Sequence, residues 1–172
     1  IERLTWMKGL ETVRALVNNR RLQSECLVFL NSIANQELKA DDERWLAEEY
    51  TNLLPRMVVE LTEHENDDLG SAQRKIDFIR SHGGLIAIDD FGKGYDSERV
   101  LVQSGADIIK LDMSLVRDVN VDEDKLALIR SMTSFAKRRN IAVLAEGVQT
   151  REEMETLIRA GVDYLQGYYL GR

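Results

Sequence analysis

One cysteine, one proline and two histidines among 172 residues leave little material for several kinds of protein. A disulfide framework needs paired cysteines, and one Cys with two His cannot close a zinc site. Cys26 lies in the apolar run CLVFL and reads as a small buried hydrophobe rather than a nucleophile. No apolar stretch approaches the roughly 18 residues that cross a bilayer, and no charged-then-apolar leader opens the chain. No membrane contact is expected from this segment; the expected setting is the cytoplasm, as a free protein or as the cytoplasmic domain of a larger, membrane-anchored one. Positive charge is the scarcer sign, 23 Lys and Arg against 30 Asp and Glu, a net −7. Binding to a DNA or RNA polymer draws most of its affinity from cations on phosphate, so that class of partner is disfavoured. A phosphate-bearing small ligand would need its repulsion offset by divalent cations.

What is present is 44% apolar and 31% charged residues, the balance of one globular domain spanning 1–172. A chain of this length buries roughly two-thirds of its unfolded surface, enough for a core without staples.

The core is written as a repeating grammar. Residues 4–23 place Leu4, Met7, Leu10, Val13 and Leu16 or Val17 on one helical face. CLVFL (26–30) then reads as a strand buried on both sides, and five short apolar runs follow: MVVEL (57–61), LIAI (85–88), DIIKLD (107–112), IAVLA (141–145) and DYLQGYYL (163–170). Helical patterns separate them at 44–54, 69–82, 97–105, 122–140 and 150–161, with RSHGG and KRRN as stop signals. Such alternation predicts an α/β fold with a parallel sheet, open or closed into a barrel. Six strands are countable, whereas an eight-stranded barrel takes about 250 residues, so a barrel here would lack one or two N-terminal strands.

Each strand closes on polar residues its apolar run does not require: Asn31; Glu60, Thr62 and Glu63; Asp89 and Asp90; Lys110 and Asp112; Glu146; Gln166. The C-terminal ends of parallel strands share the rim at which ligands bind. Side-chain alternation sends Glu60 with Thr62, and Lys110 with Asp112, to the same side. Oxygen donors without Cys or His suit Mg²⁺, Mn²⁺ or Ca²⁺, and a pair of such ions would promote in-line displacement at phosphorus. Lys110 would neutralise charge developing on the phosphoryl group. The plainer alternatives are that Asp89 or Asp90 caps a helix, that Lys110 pairs with Asp112, or that it forms a Schiff base.

The ordered set ELTE, DDFGKGY, IKLD, AEGVQT and QGYYLGR, over about residues 20–172, resembles the EAL-domain family, phosphodiesterases that linearise cyclic di-GMP on a (β/α)8 TIM-type barrel. The resemblance implies the C-terminal three-quarters of such a barrel. It implies hydrolysis of cyclic di-GMP to linear pGpG with two Mg²⁺ or Mn²⁺ ions per site, Ca²⁺ being inhibitory. By position it implies metal ligation by Asn31, Glu60, Asp89, Asp90 and Asp112. It implies catalysis by Lys110 and Glu146, substrate contacts from Gln166 and Gln149, and a loop-holding Glu63. Two glycines in Phe91-Gly92-Lys93-Gly94-Tyr95 would let that loop bend, and in the family such a loop is linked to dimerisation. A homodimer and an upstream sensory or GGDEF domain are the implied partners.

Departures from the pattern set an alternative beside this reading. The Glu-Ala-Leu signature is absent from these 172 residues; Glu11 in GLETV falls in a helical pattern, and Gln149 stands where the family usually has a second Glu. A catalytically inactive cyclic di-GMP receptor or interaction module is the alternative. A sheet short of a strand also exposes unpaired edges, so self-association is expected.

Overall fold

The computed structural model describes residues 2–20, 26–33, 38–62, 69–91 and 105–171. Helix and strand alternate along them. The order is α1 (Glu2–Asn18), β1 (Val28–Asn31), α2 (Ala40–Glu49), a 3₁₀ turn (Leu54–Arg56), β2 (Met57–Thr62), α3 (Leu69–Ser81), β3 (Leu85–Phe91) and β4 (Ile108–Leu111). There follow α4 (Met113–Val116), α5 (Glu123–Arg138), β5 (Ala142–Ala145), α6 (Arg151–Arg159) and β6 (Tyr164–Leu165). The six strands stand in chain order in the sheet, and β1 with β2, β4 with β5, and β5 with β6 pair in parallel. The helical pattern at 97–105 lies outside the described residues, apart from Gly105. Among the described residues no helix is long and apolar enough to cross a membrane.

The chain divides into two compact units, Ile1–Ala87 and Ile88–Arg172. In the first, α1 buries Trp6 and Leu10 completely while Leu4 stays 59% exposed, so the helix is rotated from the face expected of it. The cause is specific: the Trp6 indole Nε1 donates to the Asn31 carbonyl at 3.0 Å, drawing Trp6 inward and selecting the stripe 6, 9, 10, 13. Gly9 lets this helix approach β1, because a Cβ there would stand 2.6 Å from Leu30 Cδ2. Strand β2 is buried on both faces from Met57 to Leu61. Its Met, Val and Leu side chains contribute about 1.5–3 kcal/mol each. The helix expected over 44–54 instead begins at Ala40 and ends at Glu49. Asp41, Asp42 and Glu43 favour the early start through the helix dipole, and Pro55 in the following 3₁₀ turn excludes continuation.

In the second unit, β4 is buried at all four positions and β5 at three of four. Helix α5 is capped by Asp122, which accepts from the Asp124 and Lys125 amides, and it buries Ile129, Thr133 and Ala136. Gly83 after α3 and Asn140 after α5 take left-handed backbone, the stops that the sequence announced. The last apolar run is not a long strand. Only Tyr164–Leu165 pair, and Gly167–Leu170 form a turn whose Tyr169 amide bonds the Val148 carbonyl, leaving Tyr168 exposed. Cys26 is half-buried just before β1, not deep in the core.

Candidate active site

In the second unit three successive strands bring their ends to one lysine. Lys110, third residue of β4, is 4% exposed; its Nζ lies 3.0 Å from Asp89 Oδ1 on β3 and 2.7 Å from Glu146 Oε1 just past β5. An ammonium withdrawn from water costs several kcal/mol unless paired, and two carboxylates compensate it here. The group carries one net negative charge and stays open on the side where Asp89 and Glu146 are partly exposed. Strand β4 ends at Leu111, so Asp112 leaves the strand alternation and caps α4, its Oδ1 accepting from the Ser114 amide at 2.9 Å. Asp112 is thus a helix cap; the helical pattern that follows Asp89 and Asp90 lies outside the described residues.

Asp90 adopts φ +58°, a left-handed conformation costing ~1 kcal/mol outside glycine, and its amide donates to Asp89 Oδ1 at 2.9 Å. The same oxygen thereby serves both Lys110 and the turned backbone.

Glu146 begins a segment with little freedom. Its amide bonds the Leu111 carbonyl at 3.1 Å. Gly147 has φ +72°, and a Cβ there would lie 2.7 Å from Met113 Cβ, so only glycine fits. Beyond it, the Val148 amide bonds the Gln166 carbonyl and the Gln166 amide bonds the Ala145 carbonyl. Gln166 is exposed beside this backbone, and the Gln149 side chain accepts a hydrogen bond from Arg117. Glu153 ties the segment down: its carboxylate accepts from the amides of Gln149 (2.8 Å), Thr150 (3.1 Å) and Asp118 (3.0 Å). Burial opposes ionisation of Glu153, but those three amides and Arg117 outweigh it and hold its pKa below the ordinary carboxylate value.

The first unit holds the other predicted residues. Asn31 and Glu60 are register partners on β1 and β2, with Glu60 buried and Asn31 exposed. The segment after Asn31 is fastened by the Ser32 amide on the Glu60 carbonyl (2.9 Å). Lys75, almost wholly buried in α3, adds bonds to Ser32 Oγ (3.0 Å) and the Ile33 carbonyl (2.9 Å). Glu63, the side chain of Thr62, and Gly92 to Tyr95 lie outside the described residues, whereas Phe91, expected in the loop, is the buried last residue of β3.

Two supporting residues escaped the sequence reading. Glu153 was readable from Thr150-x-x-Glu153, a capping box opening a helix. Lys75 left a fainter sign, a lysine on the apolar stripe with Ile76 and Ile79. The donor set of hard oxygens fits Mg²⁺, Mn²⁺ or Ca²⁺ by chemistry. Among the described residues, no three His, Cys, Asp or Glu side chains are gathered into a cation cluster.

The chain matches the model of the EAL domain over residues 10–172. It is 32% identical over 147 residues to the cyclic di-GMP phosphodiesterase PdeL of Escherichia coli K12, covering 85% of this chain and 36% of that protein. It spans about a third or less of the length of the curated relatives it matches. Among solved structures it resembles a standalone versatile EAL protein from Vibrio cholerae O395 in its c-di-GMP-bound form, with TM-score 0.80 and 27% identity. The likeness covers 98% of this chain and 70% of that one. It also resembles Klebsiella pneumoniae BlrP1 in a manganese and cyclic di-GMP complex, with TM-score 0.76 and 28% identity over 93% of this chain and 43% of that one. An EAL match over nearly the whole chain, on a parallel α/β fold shared with solved EAL proteins, places this chain in the EAL domain family.

Proposed function

We propose that the chain is the C-terminal part of an EAL phosphodiesterase barrel that hydrolyses cyclic di-GMP to linear pGpG. The observation that carries the reading is the buried Lys110 held between Asp89 and Glu146. In the hydrolysis, water adds at one phosphorus, the bond from that phosphorus to a ribose oxygen breaks, and the proton passes to the departing oxygen. Lys110 stabilises negative charge growing on the phosphoryl oxygens. As the phosphate draws Lys110, Glu146 is released to take the proton of the attacking water. Asn31, Glu60, Asp89, Asp90 and Asp112 are the residues that would hold two Mg²⁺ or Mn²⁺ ions. Such ions supply Lewis acidity and lower the pKa of water. Gln166 and Gln149 serve substrate binding and Glu63 the DDFG loop. A homodimer, and a sensory or GGDEF domain elsewhere in a longer protein, complete the proposal, with the domain working in the cytoplasm.

The test is incubation of the complete barrel, of which the 172 residues alone are expected to be a poor enzyme, with cyclic di-GMP and Mn²⁺, followed by chromatography. Accumulating pGpG, abolished in Asp89→Asn, is the expected result; turnover unchanged in that variant would overturn the assignment. The second reading, a receptor that binds without cutting, rests on Gln149 standing where the family usually has a second Glu. Saturable cyclic di-GMP binding in Ca²⁺ with no product in Mn²⁺ would select it.

A further inference from the structure

The first unit contains a cavity of about 220 Å³ whose lining includes Arg14, Asn18, Glu49, Tyr50, Asn52 and Arg56. None of these residues belongs to the proposed phosphodiesterase machinery. Tyr50 is 2% exposed, and its hydroxyl has no hydrogen-bond partner; Arg56 Nη1 is likewise buried and without one. Folded proteins rarely leave buried donors unmade, so two that line one cavity mark a missing acceptor. Arg14 pairs with Glu49 at 2.5 Å and stacks 5.1 Å from the Tyr50 ring centroid. Glu49 and Glu11 both act on Arg14 and Tyr50, whereas Arg56 has no ion pair among the described residues, so its guanidinium is the charge left unanswered in the lining. A water molecule would accept both hydrogen bonds yet leave that charge uncompensated, and a metal ion would be repelled by it.

We propose that this cavity binds a small oxyanion, a phosphate or carboxylate group, which accepts from the Tyr50 hydroxyl and Arg56 Nη1 after a small turn of the two side chains. Arg14 supplies a stacked, Glu49-anchored wall that keeps Tyr50 in place. Burial raises the pKa of Tyr50, so its hydroxyl remains a donor at neutral pH.

The test is isothermal titration calorimetry of the 172-residue chain with inorganic phosphate, acetate and chloride at matched ionic strength. Saturable one-to-one binding of phosphate or acetate, absent with chloride, is expected. Phosphate alone assigns a phosphate-bearing ligand; acetate binding as well assigns a general oxyanion pocket. Arg56→Gln should weaken binding about tenfold or more, and Tyr50→Phe several-fold, as loss of charged hydrogen bonds does. Tyr50→Phe also guards against misfolding, since its urea midpoint without anion should equal or exceed that of the parent. No saturable binding, binding indifferent to both variants, or a destabilised anion-free Tyr50→Phe would each overturn the proposal.

Discussion

Among the described residues two lysines are buried, and each organises different surroundings. Lys110 faces two carboxylates and is chemically poised; Lys75 faces a hydroxyl and a carbonyl and holds the residues just after β1. Lys110→Met removes the charge that would meet the phosphoryl oxygens, and turnover should fall about 10²–10³-fold. Cyclic di-GMP hydrolysis under single-turnover conditions checks this. The variant also leaves Asp89 and Glu146 without their shared cation, so it should be less stable than the parent in urea unfolding. Lys75→Met leaves the Ile33 carbonyl without its ammonium and should cost about 1–3 kcal/mol in urea unfolding. It should also loosen amide exchange protection around Ser32 and Ile33, next to Asn31.

The element that most constrains the site is the turn from the end of β5 into α6. Glu146, Gly147 and the Thr150–Glu153 capping box form one assembly. Glu153 anchors it through three amides, a charged set worth ~2 kcal/mol or more. Because the folded-state pKa of Glu153 is depressed below the ordinary 4.5, its stabilisation is complete above that pH. It is lost as pH falls through the lower folded value. The free-energy gap between the parent and Glu153→Gln should therefore be constant from about pH 6 to 8 and narrow only as pH falls below the ordinary 4.5 toward the depressed folded value. Urea unfolding as a function of pH measures it, and a gap that persisted unchanged into strong acid would contradict the depressed pKa.

Across the whole molecule the governing quantity is the net charge of −7. A ligand bearing two phosphates approaches an acidic protein whose site lysine is already engaged by two carboxylates. Divalent cations should therefore control binding as well as chemistry: EDTA should reduce cyclic di-GMP affinity by more than tenfold. In EDTA, raising NaCl from about 50 to 300 mM should strengthen the residual binding, because screening weakens like-charge repulsion. Equilibrium dialysis at the two salt levels checks both. Residual binding that fell with salt would mean local cations, not net charge, dominate.

Strand positions were legible because the runs MVVEL and IAVLA carry their own burial signal, and the stops at Gly83 and Asn140 are chemical statements about backbone conformation. The ordered motifs were enough to identify the family. The rotation of α1 was not legible, since it depends on an indole bond to a carbonyl 25 residues away. Nor were the cross-strand partners of Lys110: spacing within β4 points only to Asp112, while the parallel pairing of β4 with β5 and the turn at Asp90 brought Glu146 and Asp89 to it. Local pattern determines which residues enter a strand or cap a helix because those energies are set within a few positions. Which charge meets which is decided only when strands from distant parts of the chain lie side by side and burial forces each ion to find its opposite.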